Sequence, residues 1–243
     1  MEQAAIDIGG NNDIGSNNGS DAVSMEFVYS QTGRSRIDDY PTESLSDLWK
    51  HIKHCLQEYC ISQKEPAGFS RIVAYHTHRL VNALQILPKF QRQMDHAKSD
   101  LCDEYPWQRQ RFAFDETMMA ELVTIPGNQP TPLHSYDGPA GIIYVLDGEL
   151  AVKRYTEINS EISACSGISK LNYRKVSHYR SSQGTLIDSI SAPVVEMQAN
   201  TERCIFLNIH LIDLPEHPHY FYYPSYISSE NKQFFTRRVA CEW

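Results

Sequence analysis

Ten histidines and six cysteines are the side chains of this chain best suited to chemistry, and their spacing separates the two sets. The cysteines, Cys55, Cys60, Cys102, Cys165, Cys204 and Cys241, include no Cys-x-x-Cys pair, which excludes a zinc knuckle or a dithiol redox motif and predicts reduced thiols. His134 lies two residues before Tyr136, at the end of the turn-rich run Pro126-Gly127-Asn128-Gln129-Pro130-Thr131-Pro132-Leu133-His134-Ser135-Tyr136. Residues two apart in a strand share a face, so this imidazole and phenol are expected to point into one space. In the run Cys204 to Ile212, alternation puts Cys204, Phe206, Asn208, His210 and Ile212 on one face and Ile205, Leu207, Ile209 and Leu211 on the other. The aliphatic face must be buried, whereas composition alone points the polar face to solvent.

Two further groups carry charge suited to a site. The planar fork of Arg109 can hold a carboxylate bidentately, which lysine does less well, although an ordinary surface arginine is the plainer reading. Glu196 lies in a β-prone run; buried, it demands a cation, an Arg109 contact or a raised pKa. Other histidine groupings are weaker. His76 and His78 fall in a helical stretch, where side chains two apart diverge, and His51 and His54 read as a solvated pair. Glu216 to Tyr223 is rich in His, Pro and aromatic residues and reads as a loop or extended tail across a barrel mouth.

The elements that must position these groups divide the chain. Residues 1–24 are Asn- and Gly-rich with almost no large side chains and read as a disordered tail, because burial there cannot offset the ordering entropy. Residues 25–104 read as a helical region. Leu45, Leu48, Trp49, Ile52, Cys55, Leu56 and Tyr59 recur at helical spacing behind a Ser44/Asp47 cap, and a second stripe after Ser70 stops before Pro88. Residues 105–243 read as an all-β barrel with a C-terminal extension. Its strands are expected at Phe112–Phe114, Met118–Ile125, Gly141–Tyr155, Gly184–Ile190, Val194–Gln198 and Cys204–Ile212, with Asp147-Gly148 as a hairpin turn.

Composition narrows the partners. With 22 Lys and Arg against 30 Asp and Glu, the net charge of −8 disfavours nucleic acid and anionic membranes, which need clustered cations. No run reaches the roughly 18–20 apolar residues of a membrane helix, and the N-terminus lacks a secretory pattern. A cytoplasmic protein with a small-molecule partner is expected.

From Arg109 to Gly148 the chain resembles the cupins, whose first motif holds a Gly, His-x-His, an acid or its substitute, and a closing Gly. It is more similar to the thiol dioxygenases, meaning cysteine dioxygenase and its bacterial relatives. The likeness lies in the Thr131-Pro132-Leu133-His134 approach, the Val145-Leu146-Asp147-Gly148 turn, Trp107-Gln108-Arg109 in place of Tyr-x-Arg, and Leu207 to Ile212 in place of Ser-Leu-His-Val-Tyr. The resemblance implies a cupin double-stranded β-helix, or jelly-roll barrel, behind an N-terminal helical region, with the polar face of Asn208 and His210 turned to the lumen. It further implies ferrous iron, a thiol or carboxylate substrate, Arg109 on the substrate carboxylate, and His210 and Asn208 beside the reacting atoms.

The departures are as informative. Of three metal-binding histidines in the family only His134 is kept; Tyr136 stands for the second and Glu196 for the third, while Ile212 replaces the family's tyrosine. His134, Tyr136 and Glu196 are therefore the candidate metal ligands, for iron or another borderline cation. Two readings stay open: oxidation of a carboxylate-bearing thiol by dioxygen at a non-haem metal, or a degenerate metal-free cupin that binds or regulates through a small molecule.

Overall fold

The structure, a computed structural model, describes residues 26–28, 44–62, 69–99, 107–127, 129–136, 138–158, 168–188, 194–212, 220–228 and 233–240. The expected tail, residues 1–24, lies outside them. A short strand β1 (Glu26–Val28) precedes helices α1 (Leu45–Ser62), α2 (Phe69–Gln85) and α3 (Pro88–Ser99). Strands β2 (Gln108–Phe114), β3 (Met118–Pro126), β4 (Leu133–Ser135), β5 (Ala140–Asp147), β6 (Glu149–Ile158), β7 (Ile168–Arg180), β8 (Gln183–Asp188), β9 (Val194–Ala199), β10 (Arg203–Leu211), β11 (Tyr220–Ser228) and β12 (Gln233–Ala240) follow.

The helices form where the sequence places caps and stripes. Ser44 Oγ accepts the Asp47 amide at 3.2 Å and so closes the start of α1, whose Leu48, Ile52 and Leu56 are buried. Pro88 both limits the preceding helix and opens α3, because its missing N–H is harmless at a first helical position. Together the helices pack on the outer face of one sheet, where Ile205, Leu207, Ile209 and Leu211 meet Leu48, Ile52, Val73 and Leu80.

That sheet has the order β1-β8-β5-β10-β3-β2; the second, β11-β12-β7-β6-β9-β4, closes on itself as a barrel. Within them, β3 to β10 run 8-5-10-3 in one sheet and 7-6-9-4 in the other. This is the double-Greek-key order of a jelly roll, the all-β class expected, with the N-terminal helices on one outer face. Between the sheets, Val123, Ile143, Val145, Leu150, Val152, Ile187, Met197 and Phe206 form an apolar core.

Three details differ from expectation. Asp147-Gly148 has the expected positive backbone angle, with Gly148 at φ 81, but joins opposite sheets instead of making a hairpin. β5 pairs with β8 and β10, and β6 with β7 and β9. Strand β7 had no expectation, because its Lys, Arg, Asn and Ser dilute the apolar pattern; pairing with β6 supplies what composition does not. The C-terminal extension supplies a paired strand couple, β11 and β12, which lies between β4 and β7.

Candidate functional site

Strand alternation puts the lumen residues in register. Asn208 of β10 is opposite Ile143 of β5 and Glu121 of β3, and His210 is opposite Gly141 and Met119. Directly opposed residues share a face, and Ile143 belongs to the core between the sheets, so Asn208, Glu121 and His210 line the lumen. The polar face of β10 is therefore enclosed. From the second sheet His134 joins it, held in β4 between Val195 of β9 and Phe221 of β11. The approach to β4 is pinned by Thr131, which donates its amide to Met197 O and accepts the Met197 amide at its hydroxyl.

The side chains form a connected chain. Tyr136 donates its hydroxyl to Asn208 Oδ1 at 2.8 Å, and the Asn208 amide nitrogen lies 3.2 Å from His210 Nδ1. With Oδ1 taken by the phenol, the Asn208 amide group donates to His210 Nδ1, which requires that nitrogen to be unprotonated. His134 Nδ1 donates to the Pro132 carbonyl at 2.8 Å, and the ring meets Trp107 edge to face at 4.5 Å between centroids. Tyr136 and His210 are themselves edge to face at 6.2 Å.

Glycine makes room for this arrangement. A Cβ on Gly141 would stand 2.1 Å from the Tyr136 hydroxyl and 2.7 Å from the Ile209 carbonyl. The close approach of Tyr136 to the β5–β10 pair thus depends on an absent side chain.

Arg109 takes a different partner from the one expected. Its Nε donates to Glu121 Oε2 at 2.9 Å, and its Nη2 donates to the same oxygen. Arg111 reaches the other Glu121 oxygen at 3.9 Å. Two guanidinium groups thus face one buried carboxylate. Glu121 was missed in the sequence, where the visible signal was a lone acid inside the otherwise apolar Met118–Pro126 run. Arg154 was missed as well: it is 2% exposed and donates to the Thr185 hydroxyl at 2.7 Å. Its strand parity with Leu150 and Val152 sets it on the lumen side.

Glu196 does not join His134 and Tyr136. In β9 the lumen side belongs to Val195, Met197 and Ala199, so Glu196 faces the other way and pairs with Lys153 of β6, its register partner. The placement inferred from resemblance fails for a one-residue reason: with a period of two, Val195 occupies the inward position. Ile212 follows the end of β10 and is half-buried. Of the other histidines, His78 Nδ1 meets the Tyr144 hydroxyl at 3.0 Å, and His51 and His54 are both exposed, with His51 stacked on His76 at 4.7 Å.

The three ligands implied by the resemblance, His134, Tyr136 and Glu196, are not gathered around one point. Among the described residues, no group of three or more His, Cys, Asp or Glu is placed to hold an ion. The Tyr136 oxygen and Asn208 are bonded to each other, and Glu196 is on the far face. Cys204, also in the lumen, has its thiol pushed up by burial, with the Asp147 charge acting in the same direction, so it remains protonated.

No family model and no curated protein sequence matches the chain. Solved structures similar in fold include a cupin superfamily protein from Desulfitobacterium hafniense DCB-2, at 15% identity and TM-score 0.33 over 48% of this chain and 87% of that one. Another is the cupin domain of Schizosaccharomyces pombe Cnp3, at 11% identity and TM-score 0.32, covering 44% and 65%. A third is oxalate decarboxylase from Bacillus subtilis, a protein with Mn(II) centres, at 16% identity and TM-score 0.30, covering 42% of this chain and 23% of that one. The jelly-roll assignment rests on the strand order and not on these likenesses. Among the described residues, no helix is long and apolar enough to cross a membrane.

Proposed function

We propose that this jelly roll is a small-molecule binding or regulatory protein whose lumen works without a redox metal. The observation that carries the reading is the Tyr136–Asn208–His210 chain, in which the groups expected to ligate or flank an ion are hydrogen-bonded to one another. Two guanidinium groups on Glu121 leave that wall locally positive, which suits an anionic ligand such as a carboxylate.

The second reading is oxidation of a carboxylate-bearing thiol by dioxygen at a ferrous site. It draws on His134, whose Nδ1–H donation to a backbone carbonyl is the orientation that metal-bound imidazoles use. Elemental analysis of the native chain, beside His134→Ala, separates the two. Stabilisation by small carboxylates that chelators leave unchanged supports the binding reading. Stoichiometric iron lost in His134→Ala, with oxygen consumed in the presence of cysteine or 3-mercaptopropionate, overturns it and restores the dioxygenase reading.

A further inference from the structure

A second candidate site lies outside the jelly roll, where the helices meet β2. A groove of about 470 Å³ opens there, within the roughly 300–1,000 Å³ of small-molecule clefts. Its walls are Trp49 of α1, Leu80 and Leu84 of α2, Phe90 of α3 and Phe112 of β2. One aromatic wall is pinned from outside the groove and two brace each other. Trp49 Nε1 donates to Asp115 Oδ2 at 3.0 Å, and Phe90 meets Phe112 edge to face at 5.6 Å. The aromatic surfaces are therefore held in place without an occupant.

The lining also carries a charge asymmetry. Among the described residues, Lys89, in the first turn of α3, is its one ionisable side chain; it is exposed, and the half-buried Gln93 stands one turn further along. An apolar trough with a single cation at its rim suits a ligand with an apolar body and an anionic head. We infer that this groove binds a medium-chain monocarboxylate, with the alkyl chain along Trp49, Leu84 and Phe90 and the carboxylate at Lys89. The inference is independent of the lumen reading, since it uses the opposite face of the helix-covered sheet.

The test is a titration of the full chain, with its leucine and valine methyl groups isotopically labelled, with decanoate below its micellar concentration. Decanol and decyltrimethylammonium serve as neutral and cationic controls. Saturable shifts of the Leu80 and Leu84 methyls with decanoate are expected, together with weaker binding of both controls. Lys89→Glu, a surface change that should leave the melting temperature unaltered, should weaken decanoate by roughly two- to fivefold, the scale of an exposed ion pair. Any of four results overturns the assignment: no saturation, decanol binding as tightly as decanoate, an unchanged affinity in Lys89→Glu, or shifts confined to Val123 and Val152 in the lumen. The last would move the ligand into the jelly roll and bear on the lumen reading instead.

Discussion

Tyr136 and Asn208 are joined across the lumen by a 2.8 Å hydrogen bond that ties the segment after β4 to the centre of β10. Both residues are buried, each 5% exposed, so the bond is shielded from water. Such a bond positions His210 through the same amide, and it links the two sheets where the apolar core ends.

Tyr136→Phe removes the donor and leaves Asn208 Oδ1 buried without it. The expected loss of stability is about 1–3 kcal/mol, the usual penalty for stranding a buried polar atom. Urea unfolding measures it. The pair Tyr136→Phe with Asn208→Leu should lose less than the sum of the single changes, and strict additivity would show that the bond contributes nothing.

Gly141→Ala tests the close approach. The added methyl meets the Tyr136 hydroxyl at 2.1 Å and the Ile209 carbonyl at 2.7 Å, so overpacking should destabilise the fold by about 1–3 kcal/mol. In a Tyr136→Phe background the clash with the hydroxyl is gone, and the penalty should shrink. An equal penalty in both backgrounds would assign the strain to the Ile209 carbonyl and the His210 Cβ, 2.7 and 2.8 Å from the added methyl.

The two arginines on Glu121 should differ. Arg109→Ala leaves a carboxylate that is 4% exposed with only the 3.9 Å contact from Arg111, and a loss of about 1–3 kcal/mol is expected. Arg111 has a side chain 57% exposed, so Arg111→Ala should change stability by about 0.5 kcal/mol at most. Chemical denaturation of both variants checks the order, and equal effects would contradict the geometry.

His78 makes stability depend on pH. Burial between α2 and β5 holds its imidazole below the ordinary value of 6.5. As pH falls through that value the unfolded chain takes up the proton before the folded one does, so the contribution present at neutral pH is lost on acidification. His78→Gln should therefore flatten the decline in stability between about pH 7 and pH 5. An unchanged slope in a urea series across that range would remove His78 as a cause.

Much of the architecture was legible because it depends on local pattern. The Ser44 cap, the stripe of Leu48, Ile52 and Leu56, and the aliphatic side of β10 announce themselves through spacing alone. His134 and Tyr136 share a parity, and both face the core. The Asp147-Gly148 turn shows the limit, since the residues dictate a positive φ but not which sheet receives the next strand. β7 was illegible for the converse reason: a mixed strand gains its identity from ten residues of pairing with β6.

The site divides along the same line. By itself the sequence determined which groups are available, namely His134, Tyr136, Asn208, His210, Arg109 and Glu196, and which of those within one strand share a face. Only the tertiary structure decided the partners: Arg109 on Glu121, Tyr136 on Asn208, and Glu196 turned outward to Lys153. Alternation along a strand is a property of the backbone, whereas the residue across the lumen is set by the register between strands. A register shift of one residue is enough to exchange inward Val195 with outward Glu196.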